Sequence, residues 1–159
     1  MNVQKEFDEL AIKFENHPHV RLVLRYDETI THNIFAGADL FVIPSIFEPC
    51  GLTQMYAMRY GAIPVVRKTG GLADSVFDVD NDNILEEKRN GFTFTEPTEE
   101  ALACALERAF KYFKEQPHWW AELGKKVMCQ DLSWDAAPID QYIKLYEHTV
   151  ESHPPASLS

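Results

Sequence analysis

Short apolar runs alternate with amphipathic stretches along this chain of 159 residues, and each kind of pattern predicts its own element. The apolar runs carry few charges, which is typical of strands covered on both faces of a parallel sheet. They occupy residues 20–24, 39–43, 62–66 and 91–95. The stretches around them repeat apolar side chains every three or four positions, which indicates helices. Strands that alternate with helices predict an α/β fold with a doubly wound, Rossmann-like parallel sheet.

The predicted sheet is preceded by a helix. Apolar side chains at helical spacing predict this helix over residues 3–16, and no strand comes before it. We therefore expect the sheet to be incomplete at its N-terminal edge. A second helix is predicted over residues 28–36, with Asp27 as its N-cap. We expect residues 1–150 to form one domain and residues 151–159 to be a disordered tail.

The C-terminal third of the chain is predicted to be helical. Thr98 is expected to cap a helix over residues 99–115, because its hydroxyl can accept a hydrogen bond from the first turn. Pro117 is expected to open the next helix, since proline is favoured at a first helical position. A last helix is expected to begin at Ser133 or Asp135. These helices extend the α/β fold at its C-terminal end.

The pattern changes most sharply between residues 40 and 61, where a strand, a turn-rich loop and a helix follow one another. Pro44 ends the strand, and Gly61 is predicted to end the helix in the left-handed conformation. The loop therefore lies at the carboxyl end of a parallel strand, where open α/β sheets bind their ligands. The unpaired N–H groups at the start of the following helix favour a phosphate.

Three residues of this loop indicate a sugar attached to that phosphate. Gly51 lets a ligand approach the backbone closely, and Thr53 adds a hydroxyl donor. Glu48 precedes them, and its carboxylate repels phosphate but accepts hydrogen bonds from sugar hydroxyls. The pattern alone leaves an alternative open, in which Glu48 only caps the following helix.

From Pro44 onward the chain reads PSIFEPCGLTQMYAMRYG followed by AIPVVRKTGGLADSV. This sequence resembles the donor-binding domain of starch and glycogen synthases, above all the soluble starch synthases of plants. The resemblance extends less densely from about residue 26 to residue 146. It implies the C-terminal half of a GT-B glycosyltransferase. The full enzyme would transfer glucose from ADP-glucose to the non-reducing end of an α-1,4-glucan with retention, without a metal or other cofactor, in the plastid stroma.

The resemblance also implies roles for six residues. Glu48 would be the catalytic residue that holds the donor glucose. The other five would bind substrate: Tyr26 against the adenine ring, Cys50 and Gly51 along the sugar, and Leu52 and Thr53 at the distal phosphate. Two of these positions have a structural alternative. Tyr26 also fits a sheet-end tyrosine packed on a helix, and Cys50 also fits a small buried apolar residue.

The same resemblance implies that the chain holds most of the second domain of such an enzyme and lacks the first. The α-1,4-glucan acceptor would bind through that missing domain. An Arg and Lys pair that offsets the charge of the leaving diphosphate would also be absent. We therefore expect little turnover from this chain alone. An alternative from another class is a noncatalytic module that binds nucleotide or glucan or docks onto a larger synthase.

Composition limits the classes of partner that we expect this protein to bind. The chain has 15 basic and 25 acidic residues, a net charge of −10 and a pI near 5.0, which argues against nucleic acid and anionic membranes. The three cysteines form no Cys-x-x-Cys pair and indicate a reducing compartment. The six histidines lack the spacing of metal ligands, so we expect no metal. No apolar run reaches the roughly 20 residues of a membrane span, and the N-terminus resembles neither a signal nor a transit peptide.

Two further features each allow two interpretations. The glycine turn at residues 68–72 either supports the fold or binds a ligand. Trp119, Trp120 and Trp134 lie near predicted helix starts, where they either anchor the C-terminal helices on the core or stack against a glucan.

Overall fold

The computed structural model describes residues 3–133 and 138–152. The chain divides into two compact units, Met1–Gly37 and Ala38–Ser159, which we call the N-terminal unit and the main unit. The N-terminal unit contains the helices α1 (Val3–Lys13) and α2 (Glu28–Gly37). The backbone N–H of Ile30 donates to Asp27 Oδ1 at 3.1 Å, which confirms the predicted cap of α2.

Residues 20–24 do not form the predicted strand. Their backbone is irregular and joins no β-ladder in the described part of the chain. Val23 and Leu24 are 47% and 43% exposed, so this run does not belong to a buried sheet in the structure. A strand requires a hydrogen-bonded neighbour, and an apolar run by itself does not supply one. The prediction of a strand here was wrong.

The main unit is built on a three-stranded parallel sheet in the order β1-β2-β3. The strands are β1 (Leu40–Ile43), β2 (Ile63–Arg67) and β3 (Phe92–Phe94). Along β2 the first four residues are buried, and successive side chains point to opposite faces. Both faces are therefore covered, which explains why this strand is continuously apolar in the sequence.

Pro64 lies in the central strand, although proline is usually confined to edges and bulges. Its neighbour Ile63 donates its N–H to Asp39 O at 3.1 Å, toward β1. The nitrogen of Pro64 therefore faces the side of β3, where pairing begins only at Val65. The strand loses no ladder hydrogen bond at this position, and the sheet tolerates the proline.

Helices cover the sheet on both faces: α3 (Thr53–Arg59), α4 (Gly70–Ser75), α5 (Glu99–Glu115) and α6 (Pro117–Met128). A short 3-10 helix spans Glu86–Lys88, and the last helix, α7 (Pro138–Ser152), has its described side chains exposed. One buried cluster places Ile63 and Val65 against side chains of α3, α5 and α6. A second places Val66 beside Ile43 of β1 and Leu72 of α4. This arrangement confirms the predicted α/β fold with a Rossmann-like parallel sheet.

The helix ends agree with several signals in the sequence. Thr98 Oγ1 accepts a hydrogen bond from Ala101 N at 3.2 Å, and Pro117 is the first residue of α6. Gly61 follows α3 with a φ of 86°, as its predicted left-handed conformation requires. Helix α7 begins at Pro138, and the residues just before it, among them Trp134 and Asp135, lie outside the described residues. The tail predicted over residues 151–159 begins inside α7, which continues to Ser152, and its remaining residues 153–159 lie outside the described residues.

An ion pair holds the acidic segment between α4 and β3 against helix α5. Arg108 of α5 makes two contacts of 2.9 Å with the carboxylate of Asp78. Asp78 also accepts the N–H of Thr93 at 2.6 Å and that of Asp80 at 3.0 Å. Burial raises the pKa of Asp78, but these hydrogen bonds and the charge of Arg108 outweigh it and lower the pKa below the ordinary value of 3.8. These hydrogen bonds therefore connect the start of the segment after α4 to β3.

Candidate functional site

The loop between β1 and α3, residues 44–52, lies at the carboxyl end of β1. Glu48 is half-buried in it, and the hydroxyl of Ser45 donates to Glu48 Oε2 at 3.0 Å. Leu52 is the N-cap residue of α3, and no side chain caps that helix. Glu48 therefore does not act as the helix cap, and its Oε1 has no hydrogen-bond partner among the residues that the structure describes.

Three consecutive backbone amides at the end of this loop and the start of α3 are unpaired within the described residues. The N–H groups of Gly51, Leu52 and Thr53 donate to no acceptor among the described residues. Gly51 has a φ of 68°, a left-handed conformation that favours glycine. Leu52 is 57% exposed and Cys50 is exposed, so both border solvent, whereas Gly51 between them is buried. The loop can therefore offer several N–H donors to an anion beside one carboxylate.

The glycine turn at Gly70 and Gly71 supports this loop directly. Gly71 donates its N–H to the carbonyl of Glu48 at 3.1 Å. A Cβ atom at Gly71 would lie 1.7 Å from the carbonyl oxygen of Cys50, and one at Gly70 would lie 2.0 Å from that of Glu48. Only residues without a side chain allow the two backbones to approach so closely. The structural interpretation of the turn is therefore the one that this geometry supports.

Arg67 connects the loop to the end of β3. Its Nη1 donates to Ile46 O at 2.8 Å and its Nε donates to Thr95 O at 3.0 Å. This role of Arg67 was not predicted from the sequence. The available signal was a basic side chain at the carboxyl end of a buried strand, where loops of neighbouring strands converge.

Gln54 also supports the loop, and its role was not predicted from the sequence. It is fully buried in α3, and its Nε2 donates to Gly51 O and, at 2.8 Å, to Ser75 Oγ. The Ser75 hydroxyl in turn donates to Gly71 O at 2.6 Å. This chain of hydrogen bonds joins the start of α3 to α4, while Gln54 Oε1 has no partner in the part of the chain that the structure describes. A polar residue on the buried side of a short helix was the signal in the sequence.

A cavity of about 650 Å³ begins where the loop ends. It is lined by Leu52, Tyr56 and Arg59 of the α3 region and by residues 129–133. Of the predicted site residues, Leu52 lines this cavity, whereas Glu48, Gly51 and Thr53 do not. The cavity therefore borders the loop without containing its carboxylate.

Tyr26 belongs to the N-terminal unit, and its side chain is 90% exposed. The ring is therefore not packed on a helix, which was its structural alternative. Cys50 is exposed as well, so it is not the small buried residue of its alternative interpretation. The predicted contacts of Tyr26 and Cys50 with a ligand stay predictions.

The described residues also bear on metals and membranes. In residues 3–133 and 138–152, no group of three or more His, Cys, Asp or Glu side chains could hold a metal ion. The helices of these residues are also too short or too polar to cross a membrane.

Comparison with known proteins identifies the class of this fold and site. Residues 2–127 match the family model described as Glycosyl transferases group 1. The chain therefore belongs to this family of glycosyltransferases.

Individual relatives are starch and glycogen synthases. The chain is 53% identical over 149 residues to the probable starch synthase 4, chloroplastic/amyloplastic, of Arabidopsis thaliana, across 94% of this chain and 14% of that protein. It is 41% identical over 146 residues to the glycogen synthase of Protochlamydia amoebophila, across 92% of this chain and 29% of that protein. One solved structure is the catalytic domain of starch synthase IV from Arabidopsis thaliana bound to ADP and acarbose. It superposes on this chain with a TM-score of 0.90, and the match covers 94% of this chain and 30% of that one.

These comparisons confirm the predicted family and the fold of a GT-B glycosyltransferase. The chain is a starch synthase-like or glycogen synthase-like glycosyltransferase domain. It spans less than a third of the length of these relatives.

Proposed function

We propose that this chain is the donor-binding part of a starch synthase that transfers glucose from ADP-glucose to the non-reducing end of an α-1,4-glucan with retention. The observation that carries the proposal is the set of three unpaired amides at residues 51–53, placed beside the half-buried carboxylate of Glu48. Such a loop can bind a diphosphate and a sugar at the same time. The relative solved with ADP and acarbose supports a nucleotide and a glucan as the ligands.

In this proposal the two halves of the loop have different tasks. Glu48 accepts hydrogen bonds from glucosyl hydroxyls, and the bond from Ser45 fixes the direction of the carboxylate. Cys50 and Gly51 border the sugar, while Leu52 and Thr53 direct their amides at the distal phosphate. These donors are already in place before the diphosphate leaves, so they stabilise its developing charge without reorganising. Tyr26 stacks on the adenine ring.

The remainder of the reaction belongs to parts of the enzyme beyond these residues. The acceptor glucan would bind through a first domain, which also closes the active site, so the 159-residue chain alone is expected to show little turnover. Diphosphate charge would be offset by amides and basic side chains, with no metal or other cofactor. We place the protein in the plastid stroma, because relatives from Arabidopsis thaliana are named chloroplastic/amyloplastic.

The role of Glu48 is tested by calorimetric titration with ADP and with ADP-glucose. Hydrogen bonds to a charged acceptor contribute about 1.5–3 kcal/mol, so Glu48→Gln should weaken ADP-glucose roughly ten- to hundredfold. Binding of ADP, which lacks the glucosyl group, should change little. Glu107→Gln removes an exposed carboxylate on α5 and serves as the matched control. Equal losses for both ligands, or no loss for ADP-glucose, would contradict the proposed role.

Tyr26 is tested in the same titrations. An aromatic stacking contact contributes about 0.5–1.5 kcal/mol, so Tyr26→Ala should weaken ADP roughly two- to tenfold and ADP-glucose by the same factor. Addition of EDTA should leave both affinities unchanged. Unchanged binding of ADP by Tyr26→Ala would remove the adenine contact from the proposal.

A further inference from the structure

A second cavity of the main unit, of about 420 Å³, has the features of a carbohydrate site. Side chains of α5 and α6 line it together with the segment that precedes β3. None of the residues of the β1–α3 loop takes part. Its volume falls within the range of about 300–1,000 Å³ that is usual for small-molecule sites.

Two adjacent tryptophans on α6 have different surroundings. Trp120 is 7% exposed; its ring stacks on Phe92 with centroids 6.1 Å apart and meets Phe113 edge-on at 5.3 Å. It anchors α6 on the core, as the structural interpretation of the tryptophans predicts.

Trp119 is only half-buried and lines the cavity, where its ring lies 4.4 Å from that of Tyr112. Its indole N–H donates to no acceptor among the described residues. Because Trp119 is only half-buried, this donor can bond to water or to a ligand in the cavity.

The polar groups around Trp119 suit a neutral ligand. The lining contains two acids, Glu86 and Glu122, and two bases, Arg89 and Lys126, so its charges balance. Both bases are occupied: Lys126 Nζ donates to the carbonyls of Glu86 and Arg89, and the guanidinium of Arg89 donates to Ile84 O at 2.8 Å. The lining therefore has no net charge that would favour an anion over a neutral ligand.

Acceptors and a neutral amide are left for the ligand. The carboxylate of Glu86 is exposed, and the side-chain amide of Gln116 makes no hydrogen bond with the described residues. An aromatic wall with a free N–H, a neutral amide and carboxylate oxygens matches a sugar ring, which has apolar C–H faces and hydroxyls at its edge.

We propose that this cavity binds a glucosyl residue of an α-1,4-glucan, with the ring against Trp119 and its hydroxyls on Gln116 and Glu86. The choice of an α-1,4-glucan rests on the proposed function, whereas the preference for a neutral sugar rests on the lining itself. Such a site would hold the polymer on the main unit, separately from the donor loop.

The test is a calorimetric titration of the 159-residue chain with maltoheptaose, with cellohexaose as a sugar of the wrong linkage. Trp119→Leu and Gln116→Ala should each weaken maltoheptaose about tenfold, the scale of an aromatic contact or a lost hydrogen bond. His118→Ala, at the exposed position before Trp119, is the matched control. Gln116→Ala also guards against a folding defect, because this side chain is exposed and contributes nothing to the core.

The outcomes separate this site from the donor loop. We expect Trp119→Leu to leave the affinity for ADP unchanged and Glu48→Gln to leave the affinity for maltoheptaose unchanged. Failure of the ADP titrations would therefore remove the proposed donor site alone. No binding of maltoheptaose, equal binding of cellohexaose, or equal affinity in all variants would overturn the glucan site. So would a chain that self-associates through Trp119 in sedimentation experiments.

Discussion

The contact between Gly71 and the loop of Glu48 gives a prediction in which two physical effects have opposite signs. Gly71 is the second residue of α4, and its φ is not positive. Alanine stabilises a helix by about 1 kcal/mol relative to glycine, so helix propensity alone predicts that Gly71→Ala raises the free energy of unfolding. The tertiary structure predicts the reverse.

The added Cβ would lie 1.7 Å from the carbonyl oxygen of Cys50, although real Cβ contacts are essentially never shorter than 3.0 Å. The two backbones must therefore separate by at least 1.3 Å, the difference between these distances. Overpacking of this kind costs about 1–3 kcal/mol, which offsets or exceeds the gain of about 1 kcal/mol in propensity. We expect a net loss of up to about 2 kcal/mol in the free energy of unfolding.

Urea unfolding measures the stability, and titration with ADP-glucose reports the displaced loop. A misplacement of about 1 Å at a site can weaken its action by two orders of magnitude, so the loss of donor affinity should exceed the loss of stability. Gly124→Ala in α6 is the control, because its nearest contact is an ordinary 3.4 Å and propensity should prevail there. If Gly71→Ala were as stable as the wild type and bound the donor equally well, the reasoning from backbone contact would be refuted.

Two further predictions follow from the hydrogen bonds of Arg67 and Asp78. Arg67→Met removes the bonds to Ile46 O and Thr95 O and should weaken ADP-glucose several-fold in calorimetric titration; unchanged affinity would contradict the role of Arg67. Asp78→Asn should lower the free energy of unfolding by about 1–3 kcal/mol at neutral pH. Because the pKa of Asp78 is lowered in the folded state, its stabilisation is present above the ordinary value of 3.8 and is lost as pH falls through the folded-state pKa. The difference between variant and wild type should therefore vanish in acid, and a difference that persists there would exclude the ion pair with Arg108 as its cause.

The local signals of the sequence were reliable where one short stretch of chain decides the outcome. Thr98 as a cap, Pro117 as a helix start and Gly61 as a left-handed end depend on the backbone within a few residues of each position. The alternation of elements and the motif around Glu48 were sufficient for the fold and the family. The run at residues 20–24 failed because a strand also depends on a partner from elsewhere in the chain.

The sequence by itself determined that this protein is an α/β glycosyltransferase domain with an acidic loop after one strand, because periodicity and motif are properties of consecutive residues. Only the tertiary structure decided how that loop is held, through Arg67, Gln54 and the close approach of Gly71. It also distinguished Trp120, buried in the core, from Trp119, which faces a cavity. Such contacts join residues far apart in the chain, and their distances depend on packing that no local pattern encodes.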